Sequence, residues 1–581
     1  MVKVTIDNIP VEVEATSTIL DAARKVGIDI PTLCYLKKTN EIGACRVCQV
    51  EVQGARSLAA ACVMPVFDGM VVMTTTKKVR DARKATVELI LSAHNRDCLT
   101  CSSNKNCELQ TVADELGIRE IPFEGENDFG IIDDSSPALV RDQSKCILCG
   151  RCVNVCKKEQ ASSILDFTDR GIATKVSPLF NKSLTETPCI YCGQCVSVCP
   201  TAALREKDDT DAVWAALECP DTHVVVQTAP AVRAALGEEF GLPAGTRVTG
   251  KMVTALKRLG FDKVYDTSFG ADVTVMEEGH ELLDRVKNGG TLPLITSCSS
   301  GWVRYCEFNY PEFIPNLSSC KSPIQMFGAL VKSYYAEKSG VDPKKIFVVA
   351  VAPCISKKSE AARPELEVDG LRDVDAVITT RELAKMIKLA SIKFTALPDE
   401  KFDGDFLGES DGAGVIFGTT GGVAEAAVRT VFDIICGGDN PPAQWNALRG
   451  LAGVKEADIG MNDGTSLKVA VVHGTANAAA LLDKVKAGEA KYDFIEVMAC
   501  GGGCVAGGGQ PRVSAEIRNN LDIRAERAKA LYEEDDARSV RKSHQNPQIK
   551  KLYDDYLGKP NGDKAHKLLH TKYEAKEAYP I

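Results

Sequence analysis

The chain has 581 residues, a formal net charge of −9 at pH 7, 44% hydrophobic residues and 26% charged residues. That length exceeds what one hydrophobic core supports, so several domains are expected. The acidic balance argues against a nucleic-acid binder, which would carry basic patches, and no apolar run approaches the ~20 residues needed to span a bilayer. The opening Met1-Val2-Lys3-Val4-Thr5 lacks a charged-then-apolar leader pattern, so a cytoplasmic protein is expected. Thiols stay unpaired in a reducing compartment, yet there are 23 cysteines, fifteen of them in the first 200 residues at short regular spacings. Such a distribution marks metal ligands rather than disulfides.

Residues 1–78 begin with short strands at Val2–Ile6 and Val11–Val13 around a turn at Asn8-Ile9-Pro10. Thr16-Ser17-Thr18 then leads into a helical pattern, Ile19–Val26, closed by Gly27. Cys34, Cys45, Cys48 and Cys62 follow with the spacing C-x10-C-x2-C-x13-C. The segment resembles a plant-type ferredoxin, which implies a [2Fe-2S] cluster on four thiolates; a zinc ion also accepts four thiolates. Residues 79–125 carry a helix, Val79–Ser92, and then His94-x3-Cys98-x2-Cys101-x5-Cys107, with His94 just past the helix end. This resembles the one-histidine, three-cysteine [4Fe-4S] site of hydrogenases and of the largest peripheral subunit of complex I, with zinc again the competing occupant. Residues 138–208 hold a tandem repeat, Cys146-x2-Cys149-x2-Cys152-x3-Cys156 and Cys189-x2-Cys192-x2-Cys195-x3-Cys199-Pro200. In the bacterial two-cluster ferredoxin pattern the fourth cysteine of each run serves the other cluster. Cys146, Cys149, Cys152 and Cys199 are therefore expected to hold one [4Fe-4S] cluster, and Cys189, Cys192, Cys195 and Cys156 a second. One [2Fe-2S] and three [4Fe-4S] clusters, none with a free coordination position, make an electron wire. Arg205–Asp211 reads as a charged linker.

From about residue 215 to 520 the pattern alternates strand and helix, as in parallel sheets covered by helices. Strands are expected at Thr222–Gln227, Leu292–Ile295, Ile346–Val351, Ala376–Ile378, Gly414–Phe417, Val469–Val472 and Phe494–Val497, with helices such as Arg381–Leu389 and Val423–Val431. Cys298, Cys354 and Cys500 each follow a strand, and loops at the carboxyl ends of parallel strands converge on one crevice. Cys219, Cys306, Cys320 and Cys436 read as small buried hydrophobes, with a ligand role as the lesser alternative for Cys320, two residues after Ser318. Residues 521–581 form a helical tail, whose charged stretch Arg524–Lys551 reads as a solvated face. No P-loop or dinucleotide fingerprint occurs, so flavin and nicotinamide chemistry would need partner subunits.

Three segments, Thr296-Ser297-Cys298-Ser299-Ser300-Gly301-Trp302, Ala352-Pro353-Cys354-Ile355-Ser356-Lys357-Lys358 and Met498-Ala499-Cys500-Gly501-Gly502-Gly503-Cys504, resemble the signature motifs of [FeFe]-hydrogenases. The resemblance runs over nearly the whole chain. It implies N-terminal ferredoxin-like α+β cluster domains, then a large α/β hydrogenase-like domain with two parallel sheet lobes and a helical C-terminal tail. In that family four cysteines hold a [4Fe-4S] cube bridged to a two-iron unit carrying CO and cyanide. Three ligand positions fall on Cys354, Cys500 and Cys504, and the fourth on Ser299. The proton-relay thiol falls on Cys298, the proton path on Glu278, Glu281, Arg285 and Ser318, and a cyanide partner on Lys357.

The departures surround that site. Ser299 replaces a ligand, Ser300 a proline, Ala231 a serine and Ile324 a glutamine; Ala352 and Ala424 stand where methionines cover the two-iron unit, and Gly501 replaces a bulkier residue. A serine hydroxyl is a poor iron ligand beside a thiolate. The expectation is a degenerate hydrogen site without the two-iron unit, with a plain cube on Cys354, Cys500, Cys504 and either Cys298 or Ser299 left open. The chain then resembles the hydrogenase-like subunit of Stn-type electron-bifurcating transhydrogenases. That implies flavin- and NAD(P)-binding partner subunits and ferredoxin, with neither nucleic acid nor membrane as partner. The competing expectation is a working hydrogenase, or an engineered Cys-to-Ser form of one, with Cys298 as proton donor.

Overall fold

A computed structural model describes residues 1–126, 132–408, 410–436, 446–460 and 466–579. The N-terminal module is a five-stranded sheet in the order Ile9–Val13, Val2–Ile6, Val71–Met73, Gln49–Val52, Ala59–Ala60. Across it lies the helix Ile19–Lys25, started by Thr18, whose hydroxyl and Asp21 cap each other's backbone. The helix Lys77–Ser92 ends where the sequence predicts and delivers His94 one residue beyond its cap, Ala93.

The hydrogenase-like domain has two sheet lobes. In the first, Lys263–Asp266, His223–Thr228, Ile346–Ala352 and Ala376–Thr379 run parallel. Val348, Ala350 and Ala352 enter one core and Val349 and Val351 the other, which is why this strand reads as continuously apolar. The second lobe orders Leu294–Ile295, Phe494–Met498, Ser466–His473 and Val454–Gly460. Its last strand is antiparallel to its neighbour, because the five residues between them are too few for a parallel crossover.

Three expectations fail. Gly414–Phe417 is no strand: Gly412–Ile416 is a helix whose N-terminus is capped by the Asp411 carboxylate, which accepts from Ala413 N and Gly414 N. A four-residue apolar run does not distinguish the two by periodicity. Gly414 is needed there, since a Cβ would come within 2.3 Å of Ser268 O. Arg205–Asp211 is not a free linker. Leu204–Glu206 is a strand, and the carboxylates of Glu206 and Asp209 meet Arg381 at 2.8 Å and Lys358 at 2.7 Å. The tail helix Ile523–Asp536 is not merely a solvated face either, for Arg527, Glu534 and Asp535 are buried. Glu534 meets the fully buried Arg233 at 2.8 Å and Asp535 meets Arg429 at 2.8 Å. Both charges of each pair are interior, a pattern that a charge count cannot reveal.

Candidate metal centres

Cys34, Cys45, Cys48 and Cys62 come together beside the N-terminal sheet, with Cys48 Sγ 3.3 Å from Cys62 Sγ. Thiol contacts pull Cys34 down through Cys45 and Cys48 to about 7 through Cys62, and push Cys45 and Cys62 up. His94 is buried, and burial lowers its imidazole to about 4, so it is neutral; its Nδ1 has no hydrogen-bond partner. An orphaned neutral imidazole in a segment with Cys98, Cys101 and Cys107, all half-buried, fits a metal donor set.

Cys146, Cys149, Cys152 and Cys199 line one cavity of about 450 Å³, and Cys156, Cys189, Cys192 and Cys195 another of about 460 Å³. The fourth cysteine of each run thus lies with the first three of the other. Burial raises Cys146 to about 11 and Cys149 and Cys189 to about 12, and lifts Cys152, Cys192 and Cys195 well above the ordinary thiol. Thiolates here need adjacent positive charge. Among the described residues no three of these fifteen cysteines and His94 bring donor atoms within 4.8 Å of one another. Ligands of one tetrahedral zinc, with Zn–S near ~2.3 Å, would.

The sites touch in sequence. Asn40 Nδ2 donates to Cys34 O at 2.7 Å and to Cys149 O at 3.0 Å. Cys107 Sγ lies 3.6 Å from Pro200 O, next to Cys199. Gln194 Nε2, inside the second repeat, donates to Cys500 Sγ at 3.2 Å. Two N-terminal sites therefore abut the Cys146–Cys199 site, and the Cys189–Cys156 site abuts the hydrogenase-like crevice.

That crevice is a cavity of about 800 Å³ between the lobes, at the carboxyl ends of their parallel strands. Cys298, Ser299, Cys354, Cys500 and Cys504 all line it, as does Cys192. Burial raises Cys298, Cys354 and Cys500 and takes Cys504 to about 12. The third motif closes against the first lobe because Gly507 lacks a Cβ, which would stand 2.2 Å from Pro353 O. Ser299 Oγ accepts from Ala499 N at 3.1 Å. Lys357 Nζ is engaged by Cys298 O at 2.8 Å and by Glu360 at 2.8 and 2.9 Å. Glu278, whose charge acts on Cys298, begins a chain that leads outward. Burial lifts Glu278 to about 8, and Ser318 bonds to it. Ser318 Oγ lies 3.2 Å from Glu281 Oε2, and Arg285 meets Glu281 at 2.6 Å.

The lining of this cavity and the burial of the remaining cysteines refine the reading of the sequence. Ala231 and Ile324 line it, while the short side chains of Ala352 and Ala424 do not reach it and pack in separate hydrophobic cores. Met498 lines it instead. Cys219 is exposed, while Cys306 and Cys320 are buried as expected, and the Cys436 side chain lies outside the described residues. Asn40, Gln194 and Glu360 were not legible as site residues, because each acts through a contact distant in sequence or through a backbone atom.

Known families match the chain in the same order. Residues 1–77 match a 2Fe-2S iron-sulfur cluster binding domain, 83–122 an NADH-ubiquinone oxidoreductase-G iron-sulfur binding region, and 140–203 a 4Fe-4S dicluster domain. Residues 222–508 match the iron only hydrogenase large subunit, C-terminal domain, and 521–576 the iron hydrogenase small subunit. The NADP-reducing hydrogenase subunit HndD of Solidesulfovibrio fructosivorans is 48% identical over 99% of both chains. Iron hydrogenase 1 of Clostridium pasteurianum is 45% identical over 99% of this chain and 100% of its own. The apo [FeFe]-hydrogenase HydA1 of Chlamydomonas reinhardtii superposes with a TM-score of 0.57 at 43% identity, covering 64% of this chain and 100% of that one.

Proposed function

Because the chain belongs to the [FeFe]-hydrogenase family of oxidoreductases, we propose that it is the iron–sulfur electron-transfer subunit of an electron-bifurcating complex linking NAD(P)H and ferredoxin, with a hydrogen site that lacks the two-iron unit. In this reading Cys34, Cys45, Cys48 and Cys62 hold a [2Fe-2S] cluster, and His94, Cys98, Cys101 and Cys107 a [4Fe-4S] cluster. The crosswise sets of the tandem repeat hold two more. The clusters supply one-electron transfer; the chain fixes their order and excludes water from the thiolates. Flavin- and NAD(P)-binding partners provide the two-electron chemistry, in keeping with the name of the HndD relative.

The observation that carries the reading is the oxygen at Ser299. It stands among three thiols and is hydrogen-bonded to Ala499 N, while Lys357 is held by Glu360 and Cys298 O. Ala231 and Ile324 remove two further polar contacts from the cavity wall. This lining argues against a two-iron unit in the cavity.

Iron analysis with infrared spectroscopy of the anaerobically purified protein tests this. The expected result is roughly 14 irons per chain, or roughly 18 with a plain cube, without CO or cyanide bands and without hydrogen evolution. Diatomic bands with hydrogen evolution would establish the second reading, a working hydrogenase. The succession of Cys298, Glu278, Ser318, Glu281 and Arg285, running from the buried cavity to half-buried Arg285, favours that alternative.

A further inference from the structure

The tail crosses back over the hydrogenase-like domain at His570. Cys320 and His570 form an isolated antiparallel bridge, flanked by Lys321 N to Leu569 O and Thr571 N to Ser319 O, both at 2.8 Å. This backbone pairing sets the His570 imidazole against the fully buried Cys320 and against Glu281, from the helix Ser268–Asn288. One donor atom from each of the three lies within 4.8 Å of the others, and among the described residues no other group of His, Cys, Asp and Glu converges this way.

The hydrogen bonds around the trio fix the orientation of its donor atoms. Glu277 is fully buried and accepts from Tyr553 Oη at 2.5 Å and Asn561 N at 2.7 Å. Its Oε2 lies 3.1 Å from His570 Nε2. A carboxylate only accepts, so Nε2 carries the proton and donates it. Nδ1 then presents a lone pair, and its neighbour at 2.8 Å is Ser319 Oγ. The same hydroxyl lies 3.2 Å from Glu281 Oε2. Nδ1 therefore accepts from Ser319 Oγ, while Glu281 Oε2 is also served by Ser319 N at 3.1 Å and Ser318 Oγ at 3.2 Å. Cys320 Sγ stands 4.0 Å from that same Oε2. A histidine whose second ring nitrogen is held by a buried carboxylate is oriented as metal-ligating histidines are. Among the described residues the one guanidinium bonded to Glu281 is that of Arg285, on Oε1 and not on the oxygen facing the trio.

We infer that Glu281, Cys320 and His570 form a binding site for a thiophilic divalent cation of the zinc type. One sulfur, one imidazole nitrogen and one carboxylate oxygen suit zinc, whereas magnesium and calcium favour all-oxygen shells. Ser319 Oγ or a water completes the tetrahedron. Binding displaces the Cys320 thiol proton to solvent. It ties the C-terminal tail to the helix Ser268–Asn288. It also takes up the Glu281 carboxylate oxygen that Ser318 shares, beside the chain to Glu278.

Equilibrium dialysis against zinc and zinc K-edge absorption on the cluster-replete, anaerobic chain test the site. The expected result is one zinc per chain with a single sulfur near ~2.3 Å and nitrogen or oxygen near ~2.0 Å. Cys320→Ser removes the sulfur shell, and Glu277→Gln weakens zinc binding about 10–100-fold, both at unchanged iron content. The inference is overturned if no zinc is retained. A shell of several sulfurs that persists in Cys320→Ser overturns it too, since the ion then sits in a cluster site. Should a variant lose iron, the shell of the unaltered chain decides alone: one sulfur upholds the site and several exclude it.

Discussion

The cavity ringed by Cys156, Cys189, Cys192 and Cys195 and the crevice holding Cys354, Cys500 and Cys504 share Cys192 as a wall. The first presents four thiols. The second presents three thiols and a hydroxyl at the corresponding positions, with Cys298 one residue aside. Both are buried, and burial raises the thiols in each. Environment therefore does not separate them; donor chemistry does. The wire keeps complete donor sets up to the contact of Gln194 with Cys500, and the substitutions begin just beyond it.

Ligand deletion on each side of that contact breaks the comparison most sharply. Cys195→Ala is expected to remove about four irons per chain and to cut electron flow between partners by ~100-fold or more. Cys354→Ala, on the far side, is expected to leave that flow nearly unchanged. Iron assay and partner-to-partner electron transfer with the assembled complex read both. Equal losses from the two variants would make the crevice part of the working path.

The next effect concerns how the crevice is braced. Arg429 and Asp535 are both fully buried, with Glu425 2.5 Å from Arg429 on the same helix. Asp535→Asn removes one of the two carboxylates that hold this interior guanidinium and is expected to cost about 1.5–3 kcal/mol, measured by denaturant unfolding. An exposed pair such as Lys77–Asp81 should cost well under 1 kcal/mol.

How much of this was legible in the sequence follows the same divide. The cysteine runs carry their spacing on the surface of the text, so the crosswise partition of Cys156 and Cys199 could be read before any coordinates. The crevice was legible as three strand-end loops, but its lining was not. The short side chain of Ala424 packs in a core while Met498 lines the cavity, because which side chain reaches a cavity depends on lobe packing and not on motif position. The Gly412–Ile416 helix was misread because an apolar run of four fits strand and helix alike. The buried ion pairs of Ile523–Asp536 were missed because their partners Arg233 and Arg429 lie hundreds or scores of residues away.

A pH measurement sharpens the comparison from the proton side. Burial raises Glu278 from its ordinary value to about 8. A carboxyl whose folded pKa lies above its unfolded value binds its proton more tightly in the native state. Its stabilising contribution is fully present below about pH 4.3 and is lost as pH rises through about 8. Between pH 6 and 9 the chain should lose stability on the order of 2 kcal/mol through this group. Glu278→Gln should flatten that slope in urea unfolding, and it should abolish the carboxylic-acid carbonyl band expected near neutral pH in infrared difference spectra.

The smallest expected effect bears on Ser299 itself. Its Oγ is the acceptor for Ala499 N–H, in a loop where Ala499 is buried. Ser299→Ala leaves that donor without a partner and should cost about 1–2 kcal/mol, with electron flow through the wire unchanged. Ser299→Cys keeps an acceptor in place and should cost less. It also completes four thiols with Cys354, Cys500 and Cys504, so a cluster held there should resist chelators longer than in the unaltered chain. If Ser299→Cys changes neither chelator resistance nor the low-temperature EPR of the reduced protein, the hydroxyl marks a place where no iron is held. The wire then ends at the cluster of Cys156, Cys189, Cys192 and Cys195. If resistance rises while CO and cyanide bands stay absent, the crevice holds a cube alone. The missing sulfur then weakens that cube, while Ala231, Ile324 and the engaged Lys357 deny a place to the two-iron unit.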